Sequence, residues 1–308
     1  MKVLGIDIGS TVAKFAIYQT ENQELKLFSY RVNGDPINCI ENALRTNKEL
    51  ESYTHMAVTG SSRNLIAEKF NAILIKPEII AHVYGIWSQN IFPDIIIEIG
   101  GQDSKLILLN KNIVSNFRMN SNCAAGTGAF IESQARRYNI SVDELDFEAQ
   151  TSMSEIQLNA KCATFLESAL IDLQRKGIPK NAIYMSIFNS LCNNYLSSMA
   201  QDIDWNVFKN IVFIGGVARL SSMKTCFEKL LGKKIFVPNN CEYMGSIGMV
   251  KLLLENMDQS SNDKMIPADN GVKQCFDCDN RCVLKKIKLN DGNAIYVGGL
   301  CQKHNYVD

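Results

Sequence analysis

The sequence contains the same twelve-residue pattern twice, at residues 7–18 and 98–109, and this repeat constrains the fold more than any other feature. Each copy follows a short apolar run and passes from a carboxylate through glycine and small residues to a lysine. The lysine opens a second apolar run, so each copy predicts a strand, a tight turn and another strand. Because the unit occurs twice, the chain is expected to form two related α/β lobes.

The two predicted turns have the composition of a phosphate clamp. Glycine and small residues let backbone N–H groups close on an anion, and a carboxylate at a strand end can hold a hydrated divalent cation. One copy alone would indicate no more than an ordinary hairpin. Two copies that agree in the carboxylate, isoleucine, glycine and lysine favour a nucleotide polyphosphate bound between two lobes.

Composition narrows the class of protein and of partner. At 308 residues, with 46% hydrophobic and 21% charged residues, the chain is ordinary for a globular protein of two lobes. Its formal net charge is zero, which gives no reason to expect nucleic acid or an anionic membrane as a partner. No apolar run has membrane-spanning length and the N-terminus enters a strand directly, so we expect a cytoplasmic protein.

Alternating strand and helix patterns divide the chain into four parts. We expect a first lobe at 1–92, onto which a helix at 243–255 packs back, and a second lobe at 93–242. A polar segment at 256–274 predicts a linker, and residues 275–308 are too few to form a core of their own. Within the lobes, strands are predicted at 2–8, 13–19, 25–31, 55–59, 72–75, 94–99, 104–109, 112–118, 210–214 and 234–237, and helices at 36–51, 61–69, 77–90, 124–138, 163–176, 180–202, 219–231 and 243–255.

Two of the ten cysteines stand where a helix is predicted to begin. Cys123 precedes the helix at 124–138 and Cys162 precedes the one at 163–176. A thiolate at a helix N-terminus is stabilised by the helix dipole, which suits a metal ligand or a reactive thiol; a small buried cysteine is the alternative. A cubane cluster needs four thiolates, and a twofold dimer would bring two from each chain.

The last segment carries four more cysteines in a metal-binding arrangement. Cys275 and Cys278 are separated by two residues, Cys282 follows after three, and Cys301 comes after a predicted pair of strands. Four thiolates suit a tetrahedral zinc or an iron–sulfur cluster, and the spacing does not choose between them. We therefore expect residues 275–308 to form a small metal-binding module.

Several of these motifs together resemble one family. Gly5 to Thr11, Ile99 to Lys105, Met119-Asn120 with Cys123 to Gly128, and Cys162 with Phe165 to Ser168 are similar to phrases of the 2-hydroxyacyl-CoA dehydratase activators. These are ATPases of the sugar kinase, Hsp70 and actin superfamily, related to the ATPase subunits of benzoyl-CoA reductase. The resemblance covers about residues 1–255 and implies an actin/Hsp70/sugar-kinase-like fold with two RNase H-like lobes. The four-cysteine segment resembles the part that follows the ATPase domain in long fused activators.

The resemblance implies a specific activity. Family members are homodimers with one [4Fe–4S] cluster at the subunit interface, and the matching positions make Cys123 and Cys162 its ligands here. The reduced activator hydrolyses ATP with Mg²⁺ and drives one electron at low potential to a partner dehydratase or reductase. A ferredoxin or flavodoxin then supplies the next electron.

Roles for the remaining site residues follow from the same resemblance. Asp7 would hold the hydrated Mg²⁺, Asp7 or Asp103 would orient the attacking water, and Glu98, which stands where an aspartate is usual, would lie just outside the ligands of the metal. Lys14 and Lys105 would reach phosphate or lie on the strand surface. The phosphates would contact Gly9, Ser10, Thr11, Gly100, Gly101 and Gln102, and adenosine would pack on Gly215 and Gly216 unless these form only a strand-to-helix turn.

Two other functions remain open from the sequence. A small-molecule kinase of the same superfamily, such as a sugar or amino-sugar kinase, would use the same cleft but gives no reason for Cys123 and Cys162. A non-enzymatic metal-binding scaffold would use ATP only as a switch. His55, His82 and His304 stand alone in the sequence, and we expect core or surface roles for them.

Overall fold

The computed structural model describes residues 1–120, 126–154, 156–158 and 162–259, together with three tail strands. The first sheet has the order β3-β2-β1-β4-β5, in which β1, β2 and β3 run antiparallel while β4 and β5 run parallel to β1. Its apolar residues are buried on both faces, as a sheet covered by helices on two sides requires. The strands are β1 (Lys2–Ile8), β2 (Val12–Gln19), β3 (Glu24–Arg31), β4 (His55–Gly60) and β5 (Leu74–Ile75).

The second sheet repeats the first strand for strand. Its order is β10-β9-β6-β7-β8, again with three antiparallel strands in sequence and two strands parallel to the first of them. The strands are β6 (Ile95–Ile99), β7 (Ser104–Asn110), β8 (Ile113–Asn120), β9 (Ile211–Ile214) and β10 (Ile235–Phe236). This duplicated topology is the actin/Hsp70/sugar-kinase-like fold, and it confirms the two related lobes predicted from the repeat.

Helices cover the sheets in three layers, each with its own part of the core. Helices α1 to α3 pack on the outer face of the first sheet and α5 to α9 on the outer face of the second. Between the sheets lie α4 and α10, whose apolar residues join side chains from both sheets in one cluster. The helices are α1 (Pro36–Thr46), α2 (Lys48–Glu51), α3 (Arg63–Phe70), α4 (Glu78–Trp87), α5 (Gly128–Arg137), α6 (Val142–Ala149), α7 (Ala163–Arg175), α8 (Lys180–Met199), α9 (Ser221–Leu231) and α10 (Met244–Gln259).

Three local departures from the predicted elements have identifiable causes. The helix predicted at 36–51 is two helices, because the Asn47 side chain accepts a hydrogen bond from the backbone N–H of Glu49 and starts α2. Helix α6 is absent from the sequence-based prediction, although Ser141 and Glu144 form a capping box at its start. Finally, α10 continues to Gln259, inside the predicted linker.

The tail strands form a separate small sheet. Strands β11 (Val272–Gln274), β12 (Val283–Lys288) and β13 (Ala294–Val297) pair antiparallel in the order β11-β12-β13. The pair β12–β13 matches the two strands predicted between Cys282 and Cys301, and β11 occupies the end of the predicted linker. Across the described ranges, no helix is both long enough and apolar enough to cross a membrane.

The two central helices approach each other closely because glycines face the contact. A Cβ atom on Gly248 of α10 would overlap the carbonyl oxygen of Ala81, and one on Gly85 of α4 would overlap that of Met244. Alanine would therefore force these backbones apart.

We accordingly expect Gly248→Ala to lower the free energy of unfolding by about 3 kcal/mol or more. In a helix with free space at this position, replacing glycine by alanine would raise the free energy of unfolding by at most about 1 kcal/mol. A decrease instead of an increase therefore shows that the two helices are in close contact. Urea unfolding measures this change, with Lys251→Ala on the exposed side of α10 as the control. A stabilised Gly248→Ala protein would contradict the close packing of α4 on α10.

Candidate functional site

The turns of the two repeated hairpins face each other across the space between the sheets. A Cβ atom on Gly101, in the turn before β7, would lie 3.1 Å from Oγ1 of Thr11, in the turn before β2. Ser10, Gly101 and Gln102 are exposed at these turns, where backbone N–H groups are open to an anion. The structure thus brings together the residues predicted to line the phosphates, Gly9, Ser10, Thr11, Gly100, Gly101 and Gln102.

Asp7 lies buried behind the first turn, with a histidine and a lysine beside it. It pairs across the β1–β2 ladder with Lys14, and its Oδ2 is 4.0 Å from Nε2 of His82 on α4. Burial raises the pKa of Asp7 above its ordinary value, and the nearby Lys14 and His82 oppose that effect. Burial lowers the pKa of His82 to about 4, so this imidazole is neutral at pH 7. The structure therefore places His82, for which the sequence indicates only a core or surface role, next to a candidate catalytic carboxylate.

A second buried group forms around Lys105 on β7. Its Nζ lies 2.8 Å from Oδ2 of Asp103, 3.1 Å from Oε2 of Glu98 and 2.9 Å from Oε2 of Glu78. Burial alone would lower the pKa of Lys105, but Glu98, Glu78 and Asp103 outweigh it and hold that pKa well above its ordinary value. Lys105 is therefore a buried ammonium with three carboxylate partners rather than a lysine on the strand surface.

The three carboxylates around Lys105 differ in how much of each side chain is exposed to solvent. Burial raises the pKa of Glu98 to about 7, since its side chain is 6% exposed. Asp103 keeps 33% of its side chain exposed, so its second oxygen can meet solvent. Glu78 is at the first residue of α4, a position that the sequence analysis did not select.

Several buried polar atoms around the cleft have no hydrogen-bond partner within the described part of the chain. They are Oγ1 of Thr59 at the end of β4, Nδ1 of His82 and Oγ of Ser104 at the start of β7. Buried polar groups are normally satisfied, so these atoms are positions where water or a ligand group would complete the hydrogen bonding.

A glycine with positive φ stands at the carboxyl end of β4, and another follows the carboxyl end of β9. Gly60 ends β4 with φ +100° and closes on the carbonyl oxygen of Ile8, while Gly215 follows β9 with φ +95° and closes on that of Ile99. At both positions a side chain would overlap the neighbouring strand, and the positive φ favours glycine. Gly215 therefore lies at the same sheet edge as the second hairpin, and Gly216 after it is exposed.

Cys162 is exposed at the N-cap of α7. Backbone N–H groups of Thr164 and Phe165 lower the pKa of this thiol, as expected for sulfur at a helix N-terminus. The thiolate is thus both favoured and accessible, which fits a metal-ligating cysteine. The other predicted metal ligands, Cys123, Cys275, Cys278, Cys282 and Cys301, lie outside the described residues.

Backbone hydrogen bonds join the second hairpin to the helix that follows Cys123. The N–H of Gly128 donates to the carbonyl of Gly100 at 2.9 Å, and the N–H of Ala129 donates to that of Gly101 at 2.8 Å. These donors open α5, so the turn that faces the cleft holds the start of this helix directly.

The candidate magnesium site consists of few protein groups. Within the described residues, no three His, Cys, Asp or Glu side chains form a cage for a metal ion. Mg²⁺ keeps several waters and is usually bound through one or two carboxylates and the phosphates of a substrate. Asp7 and the unpartnered buried oxygen of Thr59 fit such a site, in which water mediates most contacts.

The low pKa of His82 makes a prediction about stability. As the pH falls below 6.5, the ordinary pKa of histidine, the unfolded chain binds a proton at His82. The folded chain binds that proton only near pH 4. His82 therefore lowers the free energy of unfolding as the pH falls through this interval. The raised pKa of Glu98 has the opposite sign, because there the folded chain binds the proton. We expect His82→Gln to gain about 3 kcal/mol relative to wild type between pH 7 and pH 4.

Urea unfolding of wild type and His82→Gln across that pH range measures the difference, with His55→Gln at the start of β4 as the control. A difference that does not change with pH would contradict a neutral, buried His82.

Comparisons with known proteins match most of this chain to one group of proteins. The sequence profile described as the BadF/BadG/BcrA/BcrD ATPase family matches residues 4–252. The (R)-2-hydroxyglutaryl-CoA dehydratase activating ATPase of Acidaminococcus fermentans is 30% identical over 255 residues, which cover 80% of this chain and 94% of that protein. The 2-hydroxyisocaproyl-CoA dehydratase activator of Clostridioides difficile is 29% identical over 272 residues, covering 85% and 98%.

A solved structure agrees with the sequence comparison. The activator of the 2-hydroxyisocaproyl-CoA dehydratase from Clostridium difficile, determined with bound ADPNP, superposes with a TM-score of 0.72 at 27% identity. The alignment covers 87% of this chain and 100% of that one. The chain is therefore similar to that activator in fold as well as in sequence.

Proposed function

The chain belongs to the BadF/BadG/BcrA/BcrD ATPase family, and we propose that it is a reductive activase that hydrolyses ATP to drive electrons into a partner enzyme. The partner would be a 2-hydroxyacyl-CoA dehydratase or a benzoyl-CoA reductase-like enzyme, as the names of the relatives suggest. Family membership confirms the resemblance carried by the motifs. The ATP-analogue-bound neighbour supports nucleotide binding in the cleft between the hairpins.

In this proposal the two aspartates divide the work of hydrolysis. Asp7, buried and beside Lys14, is suited to hold hydrated Mg²⁺, which would neutralise phosphate charge when bound. Asp103 is more exposed and is held in place by Lys105, so it is the better candidate to orient the attacking water. Glu98 accepts a hydrogen bond from Lys105 of the same hairpin, and in this proposal it also lies just outside the ligands of the metal.

The observation that carries the proposal is the direct hydrogen bonding between the ATP-facing turn and the start of α5. Gly100 and Gly101 accept hydrogen bonds from the first turn of α5, which follows the segment that contains Cys123. A shift of this turn on nucleotide binding or hydrolysis therefore moves the start of α5. A kinase or a passive scaffold gives no reason for a cysteine to precede this helix in the sequence.

A second connection reaches the helix that carries Cys162. The Tyr195 hydroxyl of α8 donates to the carbonyl oxygen of Lys105 at 2.7 Å, and α8 packs against α7. Arg137 of α5 lies 3.5 Å from Glu167 of α7, so the two cysteine helices are also tied to each other. Both cysteine positions would then respond to the same hairpin.

We further propose that Cys123 and Cys162 from each of two chains hold one [4Fe–4S] cluster in a homodimer. The cluster would supply a site that accepts and releases one electron at low potential. The low thiol pKa and the exposure of Cys162 fit this role. A ferredoxin or flavodoxin would be the electron donor, and the four-cysteine tail segment at 275–308 would hold a second metal, zinc or iron–sulfur.

The proposal is tested with protein purified without oxygen and reduced chemically. Mg²⁺·ATP should yield inorganic phosphate with no added hydroxyl compound, and the reduced protein should pass electrons to a low-potential viologen dye only while ATP is hydrolysed. Phosphate transfer to a sugar, or dye reduction that does not depend on ATP, would contradict it.

A further inference from the structure

A buried ion pair joins the start of α4 to the second sheet. Glu78 begins α4, which the chain enters directly from β5 of the first sheet, whereas Lys105 lies on β7 of the second sheet. Their charged atoms are 2.9 Å apart, with side chains only 19% and 3% exposed. The pair between Arg31 and Glu132 joins the lobes, but it is longer, at 3.6 Å, and its side chains are 65% and 37% exposed.

The group pairs one ammonium with three carboxylates. Burial alone would raise the pKa of Glu78, but Lys105 and His82 outweigh it and hold that pKa below its ordinary value. Glu98 and Asp103, from the same hairpin as Lys105, already place two carboxylates against its single positive charge. Glu78 adds a further negative charge, and its proximity contributes to raising the pKa of both Asp7 and Glu98. Lys105 therefore holds Glu78 ionised at a cost to Asp7 and Glu98, and a third carboxylate fixed in this way fits a positioning role.

The structural consequence of Glu78 is that Lys105 is held from α4 as well as from its own hairpin. Lys105 has three N–H donors, and the carboxylates of Asp103, Glu98 and Glu78 take them from three directions. Without Glu78, Nζ would be held only by its own hairpin and could shift with it. Asp103, whose oxygen contacts Nζ at 2.8 Å, would shift as well.

We infer that Glu78 is a positioning residue for ATP hydrolysis, which acts from α4 through Lys105 to fix the carboxylate of Asp103. The inference rests on the proposed ATPase activity of this cleft. It implies that the alignment of Asp103 depends on how α4 packs against the second hairpin.

Steady-state ATP hydrolysis by Glu78→Gln tests the inference. We expect kcat to fall about 10- to 100-fold, because a misplacement near 1 Å has that effect, while the KM for ATP stays within about threefold. The protein should stay folded at the assay temperature, although the midpoint of thermal unfolding should fall, because Glu78→Gln removes a charge that Lys105 stabilises. Glu78→Asp, which keeps the charge on a shorter side chain, should recover part of kcat. Glu68→Gln on the exposed surface of α3 is the matched control.

The outcomes separate this inference from the proposed function. Wild type that does not hydrolyse ATP would overturn the proposed function itself. Active wild type with kcat of Glu78→Gln within twofold of it would overturn only the role of Glu78. So would a Glu78→Gln protein whose loss of activity follows loss of folded protein, or a Glu78→Asp protein with a raised KM and unchanged kcat.

Discussion

Replacing Asp7 by Asn is expected to lower the turnover of ATP about 10²- to 10³-fold while the protein stays folded. The amide has the shape of the carboxylate and fits the narrow space between β1 and α10, where Gly245 approaches the Asp7 side chain closely. It lacks the charge that would hold hydrated Mg²⁺ near the phosphates, and removing one electrostatic group of this kind costs two to three orders of magnitude.

Stability should respond differently to the same change. Burial raises the pKa of Asp7, so the folded chain already disfavours its charge, and a neutral amide should leave the free energy of unfolding about the same or higher. Phosphate release assays and urea unfolding give the two quantities. Asp172→Asn on the exposed surface of α7 is the control. Turnover within tenfold of wild type would remove Asp7 from the proposed metal site.

The second large effect is expected from Cys162→Ser. If this thiolate is one of four cluster ligands in a dimer, its replacement removes two of the four and should release about four irons per dimer relative to wild type. Electron transfer should be abolished. ATP hydrolysis should persist, because Cys162 lies at the start of α7 rather than between the hairpins.

Iron analysis of wild type and Cys162→Ser, both purified without oxygen, measures the difference in iron content. Because both proteins have the same tail, any metal bound there does not contribute to that difference. Cys226→Ser is the matched control, since Cys226 is buried and its sulfur lies 3.0 Å from Oδ1 of Asn189, a contact that serine can keep. A Cys162→Ser protein with the iron content of wild type would show that the bound iron uses other ligands.

The parts of the fold that sequence predicted well are those encoded locally. The repeated phrase contains both strands and the turn between them, so β1–β2 and β6–β7 follow from neighbouring residues. Cys162 at a helix start is equally local, because its N–H partners are two and three residues away. Helix α6 could have been predicted as well, since its signal, a serine followed three residues later by glutamate, is present in the sequence.

The parts that sequence did not predict depend on contacts between distant residues. Glu78 and His82 lie on α4, and nothing near them in the sequence shows that Lys105 or Asp7 is their neighbour. The correspondence of Gly60 with the glycine after β9 is likewise visible only once β4 and β9 occupy equivalent places in the two sheets. From the sequence, Lys105 is expected either to reach phosphate or to lie on the strand surface. Its buried position among three carboxylates could not be predicted, because one of these partners, Glu78, comes from a separate helix.

In the proposed mechanism, ATP binding or hydrolysis moves the second hairpin, and this movement changes the environment of a redox cluster. The most direct test of this mechanism is the EPR spectrum of the chemically reduced full-length protein, recorded without oxygen before and after addition of Mg²⁺·ATP. We predict a reduced [4Fe–4S] signal that changes on ATP addition in wild type and is absent from Cys162→Ser. A protein that hydrolyses ATP but has no such signal, or has one that ATP does not change, would contradict the account.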